Sequence, residues 1–424
     1  MNDEMIFPRV LIINAQSIYQ NNATGITLRK LWEKWPPSSV MELCVHAEGN
    51  VPVDEDAIKS VALKKTMIAR LAGSSASKKI NAGIKQNNAA PASAHTGLKE
   101  CIRQFCACTL VQLSAKMTKE LWDRIEEFKP DVIYTLGGGV SVLRLVRKVS
   151  RKFKIGIVMH FMDNWLEHNQ WENNILLKPY YAYLKKCAHQ CLKRCRNVIT
   201  ISPSMAKHYE QKLDIPCEVL MNMVDMPEER PQSVAQTSEN VRFVYAGGLH
   251  LDRWKALKAI AESIKRHINC GILQIYTSEA NRALYEKHFM DLPVAFMPPV
   301  PHDRVAEVLA TASFLVHAEV TSAVLEGFFK YSVSTKVPEY MSSGRPFLFY
   351  APGTLGVYQY LDENNAAILA DSQTRLDTVM QEIADGRDYT EIIENAWNLA
   401  KKNHSSANGW ECLRSAMVAG AYHK

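Results

Sequence analysis

Apolar runs of four to six residues alternate along the whole chain with longer segments of helical spacing, and this alternation permits few architectures. Fully apolar runs suit strands buried on both faces, and their alternation with helices is the pattern of βα units building parallel sheets. The first series places strands at Val10–Asn14, Val40–Val45, Val132–Thr135, Ile155–His160, Val198–Ile201 and Cys217–Leu220. Within it, Gly73–Gly97 is small, polar and aperiodic and reads as a loop, whereas Leu98–Phe128 reads as one long helix. Met226–Asn240 (MPEERPQSVAQTSEN) has two prolines and almost nothing to bury, as a linker would. A second series follows at Val241–Ala246, Ile272–Tyr276, Val294–Met297, Phe314–His317, Phe347–Tyr350 and Ala366–Leu369, and the chain from about Ser372 reads as helices only. The expected division is residues 1–225, a linker at 226–240, residues 241–404, and a final helix at 405–424. A length of 424 residues fits such a tandem. Open parallel sheets bind ligands at the carboxyl ends of their strands, so a cleft between the two domains is expected to hold the function.

Charge is informative once localised. The net charge is +6, but residues 58–119 carry eleven Lys and Arg against Glu100 alone, a balance of +10, which leaves the remainder near −4. A mildly acidic body with one basic segment points to an anionic ligand or surface there, such as the inner face of a membrane. The segment lacks interleaved aromatics, so nucleic acid is not expected. The ten cysteines form no CxxC pair, and no long uncharged apolar stretch or signal-peptide pattern occurs, so a cytoplasmic protein is expected.

The most informative stretch is Tyr331–Tyr350, YSVSTKVPEYMSSGRPFLFY. With Thr335 as N-cap, Pro338 falls at the third helical position, and Gly344 with Pro346 closes a short helix before a strand. Lys336 and Glu339 then lie in the first turn. A phosphate there would meet free N–H groups and the Lys336 ammonium, and a glutamate one turn along can accept both hydroxyls of a ribose. An exposed Lys–Glu pair on an ordinary helix is the plainer alternative.

At this point the sequence resembles the metal-independent retaining glycosyltransferases of the GT-B fold, family 4 (group 1). Four further stretches match that family's order: Thr24–Leu31 (TGITLRKL), His160–Trp165 (HFMDNW), Val198–Asp225, ending in NMVD, and Val244–Leu257 (VYAGGLHLDRWKAL). The resemblance implies an α/β chain of two Rossmann-like domains facing across a cleft, the second holding a nucleotide-sugar and the first an acceptor, with the last helices crossing back to the first domain. It implies nucleotide-sugar contacts at Gly25, Gly247, Gly248, Arg253, Lys336 and Glu339. Catalytic roles fall to His160, beside the donor sugar, and to Asp163, which would orient or deprotonate the acceptor hydroxyl.

The departures are specific. Gly248 stands where the family has an arginine and Arg253 where it has a lysine, so Arg253 and Lys336 together are expected to neutralise the diphosphate. The family's paired glutamates are eight residues apart, and eight residues before Glu339 stands Tyr331; Glu326 is the nearest substitute. Neither a cofactor nor a metal is expected. Asp54-Glu55-Asp56 lies in an acidic loop without context, and His317-Ala318-Glu319 lacks the PCxxC of zinc deaminases. Gly137-Gly138-Gly139 follows a strand but lacks GxGxxG spacing.

The expected activity is transfer of a sugar from a nucleotide-diphosphate sugar to a hydroxyl of a glycan or polyprenyl-diphosphate-linked acceptor, in assembly of a bacterial surface polysaccharide or glycolipid. The alternatives are a nucleotide-sugar 2-epimerase on the same fold and a catalytically silent nucleotide-sugar-binding subunit.

Overall fold

The computed structural model describes residues 7–20, 22–45, 58–65, 115–168, 174–232, 241–301, 304–319 and 323–421. The loop at Gly73–Gly97, Asp54-Glu55-Asp56 and most of the basic segment lie outside the described residues. The described chain divides into two compact units; the first runs to Met221 and resumes at Ala407, and the second spans Asn222–Ser406.

The first unit is built on a seven-stranded sheet in the order β3-β2-β1-β6-β7-β8-β9, with every pairing parallel. Its strands are β1 (Val10–Asn14), β2 (Val40–Cys44), β3 (Lys59–Ala62), β6 (Val132–Thr135), β7 (Gly156–Phe161), β8 (Cys195–Thr200) and β9 (Cys217–Val219). Val10, Leu11, Ile12 and Ile13 of β1 are fully buried, each contributing about 1.5–3 kcal/mol by leaving water. The edge strand β3 (KSVA) has no apolar run to announce it; pairing with β2 alone makes it a strand. The helix expected over Leu98–Phe128 is corrected. Residues 98–114 lie outside the described residues, but Ala115–Lys116 (β5) pairs antiparallel with Lys64–Lys65 (β4) and interrupts that helix, and the segment Lys119–Phe128 has its own start, where Thr118 Oγ1 accepts the Leu121 N–H. A cap and a tertiary strand pair override the local periodicity.

The helix Ser406–Ala421 closes this unit from Ala407 onward. Trp410 Nε1 donates to Lys30 O at 2.9 Å, and Asn197 Nδ2 donates to Ala416 O. Gly420 lies so near Val158 that an added Cβ would stand 2.4 Å from its Cγ2.

The second unit holds a six-stranded parallel sheet in the order β12-β11-β10-β13-β14-β15. Its strands are β10 (Val241–Ala246), β11 (Gly271–Tyr276), β12 (Val294–Met297), β13 (Phe314–Ala318), β14 (Phe347–Tyr350) and β15 (Ile368–Ala370). Phe243 and Phe314 stack across the central pair, and the helix Arg253–His267 packs Leu257, Ile260 and Ile264 into the same core. The described part of Met226–Asn240 packs onto this unit: Pro231 O would stand 2.2 Å from a Cβ on Gly344, whose φ is +70°. Just before it, Val224 N–H donates to His404 O.

Both sheets reverse their strand order at an internal point, β1/β6 in the first and β10/β13 in the second. Crevices for ligands open at the carboxyl ends of strands at such points.

Candidate functional site

In the second unit, β10 ends at Ala246 and is followed by Gly247-Gly248; its neighbour β13 ends at Ala318 and is followed by Glu319. The Gly247 N–H donates to Tyr276 O at 2.9 Å, and Tyr245 Oη donates to Gly248 O at 2.7 Å. Both glycines make room. A Cβ on Gly247 would stand 2.7 Å from Lys336 Cε, and one on Gly248 would stand 2.5 Å from the His250 ring. Leu251 and Asp252 follow with φ of +60°, a conformation that costs a residue with a side chain about 1–2 kcal/mol. This strained turn delivers Arg253 at the start of the long helix.

Arg253 and Glu319 form an ion pair, Nη2 to Oε2 at 2.9 Å, with both side chains largely buried. His317 Nε2 donates to the other carboxylate oxygen at 3.0 Å. Burial pushes the Glu319 carboxyl up, but Arg253 and His317 outweigh it and hold it well below the usual carboxylate range. Burial lowers His317, which is therefore the neutral donor to Glu319. His250 is pushed down to about 4 by burial and then by Arg253 and Lys336, so it faces the two cations uncharged.

Lys336 opens a helix of six residues, Lys336–Met341, and Thr335 makes no side-chain cap. The expectation of a capped helix N-terminus as phosphate site is corrected on this point, because one and a half turns sum few peptide dipoles and the positive charge here is that of Lys336 itself. Its stem passes over Gly247, and burial, then Arg253, push its ammonium below the ordinary value. Among the described residues Lys336 forms no ion pair. Glu339 lies one turn on, half-buried.

Three residues that sequence reasoning did not assign therefore join the cluster: His250, His317 and Glu319. The signal was the HAE triplet at the end of an apolar run, which has meaning only once β13 is paired with β10. Glu326 and Tyr331, the candidates for the place of the family's first glutamate, make contacts of their own. Glu326 accepts a hydrogen bond from Thr354, and Tyr331 lies under Lys330.

The first unit presents a different site. At its reversal point Asn14 Oδ1 accepts the Leu136 N–H at 2.8 Å, Gly137 and Gly138 have positive φ, and Trp165 packs against Gly137. His160, on β7, is 1% exposed. Its Nδ1 is hydrogen-bonded to Tyr134 Oη at 2.8 Å, and burial lowers its pKa to about 3. Asp163 is half-buried in the loop that follows, which is anchored where Tyr209 Oη donates to Asn164 Oδ1. Gly25 is required by close approach, since a Cβ would stand 2.0 Å from Gln20 O; its own N–H caps onto Asn22. Among the described residues no cluster of His, Cys, Asp and Glu is arranged to hold a metal, and no helix is long and apolar enough to cross a membrane.

Residues 92–227 match the family described as Glycosyltransferase Family 4. No curated protein matches the chain. Among solved structures, HepE of Anabaena in complex with UDP and glucose superposes with a TM-score of 0.61 at 12% identity, covering 97% of this chain and 100% of that one. Sucrose-phosphate synthase from Thermosynechococcus elongatus does so at 0.61 and 13%, covering 97% and 98%. WaaG, a glycosyltransferase involved in lipopolysaccharide biosynthesis, follows at 0.57 and 14%, covering 97% and 99%. Two parallel sheets with matching reversal points and these neighbours show the GT-B fold, and within it residues 92–227 are similar to Glycosyltransferase Family 4.

Proposed function

We propose that this enzyme transfers a sugar from a nucleotide-diphosphate sugar to an acceptor hydroxyl, without a metal, and that Lys336 and Arg253 bind the diphosphate. The observation that carries the reading is a half-buried ammonium, Lys336, with no ion pair among the described residues, beside an arginine at the reversal point of a parallel sheet. Such a charge gains most from an anionic ligand. As the glycosidic bond to the leaving group breaks, negative charge grows on the diphosphate, and cations fixed in a low-dielectric site stabilise it without reorganising. Glu339 accepts the ribose hydroxyls, and Gly247 and Gly248 allow the backbone to approach the ligand. HepE, solved with UDP and with UDP-glucose, makes uridine diphosphate the natural first probe.

On the acceptor side Asp163 is the group proposed to orient or deprotonate the hydroxyl, with His160 supporting the strand end through Tyr134. Retention is taken from the family that the sequence resembles, and because no carboxylate among the described residues stands as an evident nucleophile, front-face transfer is favoured over a covalent intermediate. The +10 balance of residues 58–119 supports a diphosphate-linked acceptor at an anionic membrane surface, as in assembly of a surface polysaccharide. Calorimetry with UDP tests the core of the reading: binding is expected to persist in EDTA, and binding that requires magnesium or manganese would overturn metal independence. Flotation with anionic and neutral vesicles tests the surface, with equal recovery from both counting against it.

A further inference from the structure

We propose that Glu319, held by His317, is a positioning residue for the Arg253 guanidinium. The inference rests on the reading of Arg253 as a diphosphate ligand and adds how that ligand is aimed. An arginine reaching out of a helix start has four rotatable bonds, and a free one would have to be ordered each time substrate binds. Here the ordering exists beforehand. Glu319 uses both carboxylate oxygens, Oε2 for Arg253 Nη2 at 2.9 Å and Oε1 for His317 Nε2 at 3.0 Å. His317 is in turn fixed, its ring stacked on Phe349 at 5.3 Å and 21° and set edge-on to Tyr340. A chain of contacts thus runs from the β14 core through His317 and Glu319 to the guanidinium.

The geometry also leaves Arg253 incompletely used. Only Nη2 meets Glu319, and the buried Nε has no hydrogen-bond partner among the described residues. Glu319, with both oxygens occupied and only 7% exposed, is not placed to hold a sugar hydroxyl. Its part is to fix one edge of the fork while the other N–H groups remain for ligand oxygens. The same carboxylate is the counter-charge of the buried guanidinium.

The test is UDP binding to the full chain by calorimetry, in single and double variants. Arg253→Ala is expected to weaken UDP tenfold or more. Glu319→Ala is expected to weaken it at least fivefold, while Glu319→Gln, which keeps an acceptor for Nη2, costs less than half of that factor. In the Arg253→Ala background, Glu319→Ala is expected to add less than twofold. Should Glu319→Ala fail to fold, Glu319→Asp carries the test: it retains the charge but withdraws it by one methylene, and should cost at least threefold with Arg253 present and nothing without it. Unchanged or tighter binding in Glu319→Ala, or an equal loss with and without Arg253, overturns the positioning role. A null effect of Arg253→Ala itself overturns instead the assignment of Arg253 to the diphosphate.

Discussion

The two units reverse strand order in the same way, yet the residues directly after the paired strands differ in charge, although Glu42 and Arg29 brace the loop that follows β1 in the first. Around β1 and β6 the chain supplies Asn14, Thr135 and three glycines, all uncharged, with His160 kept neutral in the core nearby. Around β10 and β13 it supplies Arg253, Glu319 and Lys336, with His250 and His317 uncharged beside them. The backbone architecture sets where a ligand fits, and the residues just past each strand set which ligand. On the proposed function, the charged diphosphate goes to the second unit and the acceptor hydroxyl to the first.

The largest expected effect that breaks or upholds this contrast is at Lys336. Lys336→Ala should weaken UDP by about 1.5–3 kcal/mol, the worth of a lost charge-assisted hydrogen bond. Calorimetry giving wild-type affinity would remove the electrostatic half of the comparison.

Acid should strike the first unit through His160. Burial depresses its folded pKa from 6.5 to about 3, so the stability of the neutral form is complete above pH ~6.5 and is lost as the pH falls toward 3. Each pH unit within that window costs about 1.4 kcal/mol, or about 2 kcal/mol by pH 5. Urea titrations at pH 7 and pH 5 should show His160→Gln losing less stability on acidification than the parent. The Glu319 carboxylate, held well below the usual range, should stay ionised throughout.

A smaller effect is expected at Gly138, whose φ of +77° suits glycine and around which an added Cβ meets nothing within 4 Å. Gly138→Ala should cost about 1–2 kcal/mol of stability through backbone strain alone, while UDP affinity stays within about twofold of the parent, less than ~0.5 kcal/mol. A large loss of UDP affinity in this variant would mean that the first unit's reversal point also holds the nucleotide. The finest test is at Glu339, where Glu339→Gln should weaken UDP by about 1 kcal/mol and 2′-deoxy-UDP much less. Equal losses for the two nucleotides would withdraw the ribose assignment.

Most of the sheet scaffold was legible because its strands are short apolar runs, most of them buried on both faces, and the half-buried edge strand Val294–Met297 is apolar throughout as well. Val10–Asn14, Val132–Thr135, Val241–Ala246, Val294–Met297 and Phe347–Tyr350 stand at the bounds expected of them. The failures occur where a strand is polar and only its pairing makes it one. Lys59–Ala62 has one neighbour and two polar residues, and Ala115–Lys116 is a strand only because Lys64–Lys65 lies beside it. Lys336 and Arg253 were readable as charges after strands and at helix starts.

The sequence by itself determined the two parallel sheets and where cations follow strands, because strand burial and chain punctuation act over a few residues. Only the tertiary structure decided what those cations face. Glu319 is 66 residues from Arg253 along the chain, and His317 reads as one more residue of an apolar strand until β13 pairs with β10. Pairing of that kind is a property of the sheet: a carboxylate's partner is chosen by which strands lie side by side, and short-range spacing carries no record of it.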